Sequence, residues 1–325
     1  MENRDIRLKD IRGFHIGGAL HELVGFKTEA VARVEGDAPT VVDMNGDHMI
    51  GQMYATHYRQ AEPEFALPLM LWHGGGLTGA CWEDTPDGGK GWLDYFLRHR
   101  FDLVISDAFE RGRASWPPYP QFLAQAPEHR SLNAVWHHFR FGAPGTYPPI
   151  LDAHHARQMA YPGLQFSIEH LEQFGRQFVP RWVGNDDLAL KAYGALLQKM
   201  GPCVVIGHSQ GAYYALQCAR LFPELVKAVV AVEPPTGLGA ADASLVRCPH
   251  LFIWGDNIHG KNETWSRYFR VVEHYRQALS DTGTLAEVME LPELGVHGNS
   301  HMLIMDRNNQ LIAKLVQDWL MRIAS

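Results

Sequence analysis

A serine with small neighbours, Gly207-His208-Ser209-Gln210-Gly211, lies between an apolar run, Cys203-Val204-Val205-Ile206, and a segment of helical character from Gln210 to about Phe222. Serine is a weak nucleophile unless a base takes its proton and donors hold the oxyanion that follows. A tight strand-to-helix turn supplies part of both needs. Small residues let the chain bend, the hydroxyl stands above the sheet, and the free N–H groups and positive end of the helix face it. G-x-S-x-G in this context makes Ser209 the candidate nucleophile and the Gln210 N–H a candidate oxyanion donor; a serine in a tight packing turn is the plainer alternative.

His73-Gly74-Gly75-Gly76 directly follows the apolar run Leu67 to Trp72. Glycines there let backbone N–H groups come close to a substrate oxygen, so Gly75 or Gly76 is the candidate for the other half of the oxyanion hole. Gly74, Gly76 and Gly79 also satisfy G-x-G-x-x-G. A dinucleotide site wants an acid about 20 residues on, at the end of the next strand. His99 stands at that spacing and the next strand ends later, at Asp107, which disfavours a nucleotide. Two histidines, His297 and His301, precede the last helical segment and are candidates for the base, His301 being nearer the helix start. For the acid that orients the base, Glu233 closes the apolar run Val230-Ala231-Val232, where a carboxylate without a purpose would be costly. Asp256, in Trp254-Gly255-Asp256-Asn257-Ile258, is the alternative.

Together with Asp107 to Ser115 (DAFERGRAS), these motifs resemble the α/β-hydrolase superfamily and, within it, the bacterial esterase 713-like group. The likeness runs over nearly the whole chain, through HGGGLTG at 73–79, TPDG at 85–88, ERGRASW at 110–116 and NSHM at 299–302. It implies the chain order serine, acid, histidine and favours His301. Many members place an Asp three residues after the Gly that follows the seventh strand; here that position is Ile258, which cannot hold an imidazolium. The group's glutamate placement implies Glu233 instead. The implied protein is a serine esterase working through an acyl-enzyme with Ser209, His301 and Glu233, on a small-molecule ester, without cofactor or metal. A C–C bond hydrolase, lactonase or amidase would use the same residues, and a non-catalytic ligand-binding protein is the alternative from another class. Dehalogenases and epoxide hydrolases of this fold need an Asp where this chain has Ser209.

The elements that must position these residues follow from the patterning. Short apolar runs ending at Gly or Asp suit buried parallel strands. After about residue 183 strands alternate with helices: Asp186 to Met200 with Asn185 as cap, then strands at Cys203, Ala228 and Pro249, a helix from Trp265 to Leu279, a strand from Ala286 to Leu291 and a last helix from about Asn308. This predicts α/β architecture, a mostly parallel central sheet flanked by helices. Residues 116–182, rich in proline, aromatics and paired histidines, read as an inserted cap between core parts 1–115 and 183–325. Residues 1 to about 60 read as short strands, Phe14 to Ile16 and Ala30 to Val34 among them, between Gly and Asp turns.

The chain has 325 residues, 46% apolar and 20% charged, with a net charge of −7, which excludes a basic nucleic-acid binder. No apolar run is long enough to span a membrane. The N-terminal segment has no apolar core of a secretory signal, and four scattered cysteines suggest reduced thiols, so a cytoplasmic location is expected, with a homodimer left open. His137-His138 and His154-His155 raise a metal site, but adjacent side chains diverge and no carboxylate cluster accompanies them. Trp116, Trp136, Phe139, Phe141 and Tyr147 are candidates for pocket lining, and Arg111 and Arg113 for a substrate carboxylate contact.

Overall fold

The apolar runs of the sequence form the middle of an eight-stranded sheet in the computed structural model, which describes residues 5–324. In chain order the strands are β1 (Leu8–Leu23), β2 (Glu29–Val31), β3 (Thr40–Val42), β4 (Gly46–Gln60), β5 (Leu69–Trp72), β6 (Leu103–Asp107), β7 (Cys203–His208), β8 (Val226–Val232), β9 (His250–Trp254) and β10 (Ala286–Glu290). The helices are α1 (Trp92–Arg98), α2 (Leu132–His138), α3 (Ala153–Met159), α4 (Leu171–Gly175), α5 (Asp186–Met200), α6 (Gln210–Leu221), α7 (Ala240–Ala243), α8 (Glu263–Asp281) and α9 (Asn309–Ala324). Spatial order is β1-β4-β6-β5-β7-β8-β9-β10; β1, β4 and β6 pair antiparallel and every later pairing is parallel.

Alternation along the strands divides the core. Leu69 and Leu71 of β5 face one side with Ile105, Val230 and Ile253, against Trp92, Phe96, Ile312 and Val316. Met70 and Trp72 face the other with Val205, Val229 and Phe252, against Tyr193, Leu196 and Leu216. Helices on both faces explain why β5 and β6 are buried at every residue and read as continuous apolar runs.

The N-terminal region departs from expectation. In place of short strands, β1 and β4 form one long antiparallel ribbon, and β2 and β3 pair separately with each other. Gly17 and Gly18 adopt positive φ within β1 instead of ending it, and an added Cβ on Gly17 would lie 3.1 Å from Ala192 Cα of α5. Asn185 occupies the N-cap position of α5 but its side chain makes no capping bond.

Residues 116–182 carry α2, α3 and α4 and tie to three loops at the carboxyl ends of the strands. Val179 N donates to Gly76 O at 3.0 Å, Gln165 N to Gly298 O at 2.8 Å, and His301 N to Phe139 O at 2.9 Å. Trp136, Phe139 and Phe141 are buried in the main core with Phe166 and Phe174, so they pack this segment down instead of lining a pocket. Tyr147 packs edge-on to Trp136, and Trp116, half exposed, packs edge-on to Trp182.

Candidate active site

Ser209 sits at the abrupt joint between β7 and α6 with φ 54° and ψ −120°. Such a backbone costs roughly 1–3 kcal/mol and persists only where the surroundings enforce it. Here Ser209 N donates to Val232 O at 2.9 Å, and Ser209 O accepts from Ala212 N at 2.9 Å and Tyr213 N at 3.2 Å. The flanking glycines are required by close approach: a Cβ on Gly207 would strike the backbone of Gly211 and Ala212, and one on Gly211 would strike the carbonyls of Trp72 and His73. The His73–Gly76 loop therefore lies directly beside the start of α6. Among the described residues, the N–H groups of Gly75, Gly76 and Gln210 donate to no protein acceptor.

Glu233, one residue past β8, is completely buried, with φ 52°. Its N donates to Ile253 O at 2.9 Å, anchoring it to β9. Its Oε2 lies 3.2 Å from His301 Nδ1, while Oε1 accepts from Arg140 Nη2 and Gly255 N, both at 2.6 Å. His301 is 1% exposed, and its ring is enclosed by Trp265, His208 and Phe139 at centroid distances of 4.3, 4.6 and 4.9 Å. With a carboxylate at Nδ1, the imidazole carries its proton there and leaves Nε2 as the acceptor. Among the described residues the Ser209 hydroxyl makes no hydrogen bond to His301; such bonds are often formed only once substrate is bound.

The two alternatives stand apart from this pair. Asp256 Oδ2 accepts from Asn299 N at 2.8 Å, and its Oδ1 lies 3.8 Å from Nδ1 of the exposed His297. Asp256 thus braces the loop that carries His301 and does not touch its ring.

Two supporting residues escaped the sequence. Arg140, wholly buried at φ 59°, reaches from residues 116–182 to Glu233, donates from Nε to Asp256 O at 2.6 Å and lies over Trp265. Asp306, also buried, accepts from Ser300 N and Oγ at 2.8 Å and from Asn299 Nδ2 at 3.0 Å, fixing the backbone next to His301. A partner 93 residues away leaves no local signal; the NSHM tetrapeptide held the only hint of the Asp306 anchor.

Ser209 opens onto a cleft of about 670 Å³, together with Gly75, Gln210, Arg130, Arg181 and Trp265. Arg111 and Arg113 are already engaged: Arg111 Nε pairs with Glu110 at 2.7 Å, and Arg113 Nε pairs with Asp107 at 2.7 Å. Arg113 also stacks over Tyr54 and Arg111 Nη2 donates to Gln210 Oε1 at 3.3 Å, so both side chains brace the post-β6 loop, while Arg111 Nη1 has no hydrogen-bond partner among the described residues. Among the described residues no three His, Cys, Asp or Glu side chains are grouped to hold a metal ion.

No protein-family model matches the chain. A solved structure described as the atomic-resolution structure of a novel bacterial esterase superposes on 98% of this chain and 97% of its own, with 28% identity and a TM-score of 0.81. A probable secreted lipase, phiG, from Fungal sp. (strain ATCC 74256), is 25% identical over 338 residues, covering 83% of this chain and 86% of the lipase. The chain belongs to the α/β-hydrolase superfamily.

The hydrolase core is rich in buried neutral histidine. Burial pulls His73, His138, His208 and His250 down to about 4 from 6.5, and it pulls His301 well below 6.5 with help from the neighbouring His208 and Arg140. Burial also raises Glu233, against the pull of Arg140, and raises Asp306 to about 6. Between pH 6.5 and 4 the unfolded chain takes up protons at these histidines while the native state does not. Each then removes up to about 1.4 kcal/mol of stability per pH unit as the pH falls. Glu233 and Asp306 have the opposite sign, since the native state binds their protons first, but two carboxyls oppose five histidines. The melting temperature is therefore expected to be highest above pH 6.5 and to fall steadily towards pH 4.5; a constant value between pH 7 and 5 would contradict the buried neutral histidines.

Proposed function

We propose that this hydrolase cleaves carboxylic esters through an acyl-enzyme, with Ser209 as nucleophile, His301 as base and Glu233 as the residue that orients and stabilises the imidazole. The supporting observations are the buried Glu233–His301 pair at 3.2 Å, its imidazole 4.6 Å from the ring of His208 next to the strained Ser209, and the free N–H groups of Gly75, Gly76 and Gln210. The names of its relatives, an esterase and a lipase, favour an ester over an amide or a C–C bond.

On this reading Ser209 Oγ attacks the acyl carbon as His301 Nε2 takes its proton. The oxyanion accepts from Gln210 N–H and from Gly75 or Gly76, donors typically worth about 3 kcal/mol each. His301 returns the proton to the departing alcohol, the C–O bond breaks, and water, deprotonated by the same nitrogen, releases the acid. Arg140 balances the charge of Glu233, which keeps the resting His301 neutral and ready to accept.

Competition between water and methanol tests the covalent intermediate. Two esters with the same acyl group and different alcohols are expected to give methyl ester and free acid in one common ratio, because both pass through the same acyl-enzyme. A ratio that changes with the leaving alcohol would contradict an acyl-Ser209 intermediate.

A further inference from the structure

The guanidinium groups around the cleft are not equally satisfied. Arg111 pairs with Glu110 at 2.7 Å, Arg140 with Glu233 at 2.6 Å, and Arg181 with Glu128 at 3.1 Å. Arg130 has no carboxylate and no hydrogen-bond acceptor among the described residues; its one contact of note is the face of Phe139, 5.0 Å from its Cζ. It is partly buried, and desolvation, with Arg181 and Arg111 nearby, weakens its hold on the proton to about 10. Glu128, spent on Arg181, offsets this only in part, and a partly desolvated cation with no carboxylate paired to it is costly and marks a place for an anion.

That place adjoins the reacting atoms. A Cβ on Gly76 would lie 3.2 Å from Arg130 Nε, and one on Gly75 would lie 3.0 Å from Arg181 Nη1. Both arginines are thus within a side chain's reach of the N–H groups proposed to hold the oxyanion, and both line the cleft with Ser209. Arg181 spends only Nη2 on Glu128, which leaves Nη1 free on the cleft side. Two carboxylates line the cleft: Asp186 accepts from Tyr214 Oη at 2.7 Å, and Asp242 lies 3.5 Å from Arg220 Nε. His138, which also lines the cleft, is held neutral by burial and adds no positive charge of its own, which leaves the arginines to bind an anion.

We propose that the ester substrate of this protein carries a carboxylate, bound by Arg130 with Arg181 beside the oxyanion loop. The inference rests on the proposed esterase reading of Ser209. A planar guanidinium meets a carboxylate through paired charge-assisted hydrogen bonds, which a neutral amide of the same shape cannot replace.

The test compares isosteric ester pairs on the purified full chain. On the acyl side, 4-nitrophenyl hemiglutarate is set against 4-nitrophenyl glutaramate; on the alcohol side, 4-acetoxybenzoate is set against 4-acetoxybenzamide. For at least one pair, kcat/KM for the carboxylate member is expected to exceed that for the amide by about tenfold or more. Arg130→Gln is expected to bring that ratio to about 1, and Arg130→Lys to restore part of it. Ratios near 1 for both pairs in the wild type would overturn the inference, as would an Arg130→Gln loss equal on both members, which would make Arg130 part of the oxyanion hole. Calorimetric titration of Ser209→Ala with monomethyl glutarate and methyl glutaramate separates the two readings. Carboxylate-selective binding without turnover of any ester by the wild type would sustain the anion site and defeat the esterase reading. Turnover without selective binding would do the reverse.

Discussion

Replacing Ser209 with alanine is expected to lower kcat for ester hydrolysis by about 10⁴- to 10⁶-fold. The change should leave the fold nearly untouched. The Ser209 backbone is fixed by bonds from its N to Val232 and from its carbonyl to the start of α6, and alanine keeps all of them. Alanine also meets the same backbone cost at φ 54° as serine, and the hydroxyl gives up no hydrogen bond to His301. The variant should therefore melt within a few degrees of wild type and still bind substrate. Loss of turnover with the melting temperature preserved places the effect in chemistry. A loss of less than tenfold would mean that another group performs the attack.

The second large effect is expected at Glu233→Gln, a fall of about 10⁴-fold in kcat. The carboxylate faces donors on every side: Arg140 and Gly255 at Oε1 and His301 at Oε2. A glutamine must turn its amide NH₂ toward one of them. Facing His301, it drives the imidazole to the tautomer protonated on Nε2, which cannot take the serine proton. Facing Arg140, it sets donor against donor. In either case Arg140 is left as an uncompensated buried cation, at a cost of about 3–5 kcal/mol in stability, so activity must be normalised to folded protein measured by circular dichroism. Asp256→Asn is the control. Asp256 touches Asn299 and approaches His297 but not His301, so kcat should stay within about tenfold of wild type. If the two variants exchanged effects, Asp256 would be the acid.

Local features of the chain carried much of this geometry. The apolar runs of β5 to β9 are legible because strands buried on both faces need apolar residues at every position. The Ser209 turn is legible because close backbone approach demands glycine at fixed offsets, and Glu233 because a carboxylate ending such a strand needs a reason. The β1–β4 ribbon was obscured by Gly17 and Gly18, which read as a turn in the sequence but in the fold take positive φ where the backbone lies close to α5 at Gly17 and to β4 at Gly18. Arg111 and Arg113, candidates for a substrate carboxylate contact in the sequence, pair with Glu110 and Asp107 in the fold. Arg140 and Arg130 show the deeper limit. Both come from residues 116–182, whose irregular pattern predicts no register, and only tertiary packing sets one against Glu233 and leaves the other with no paired carboxylate among the described residues.

The central claim is that Ser209 is an activated nucleophile, and it can be tested without knowing the natural ester. Intact-mass analysis after exposure to a fluorophosphonate, with peptide mapping, is the most direct measurement. The account predicts a single adduct on wild-type protein, located at Ser209, and none on folded Ser209→Ala. Folded wild-type protein that stays unlabelled, or a label on any other residue, would contradict it.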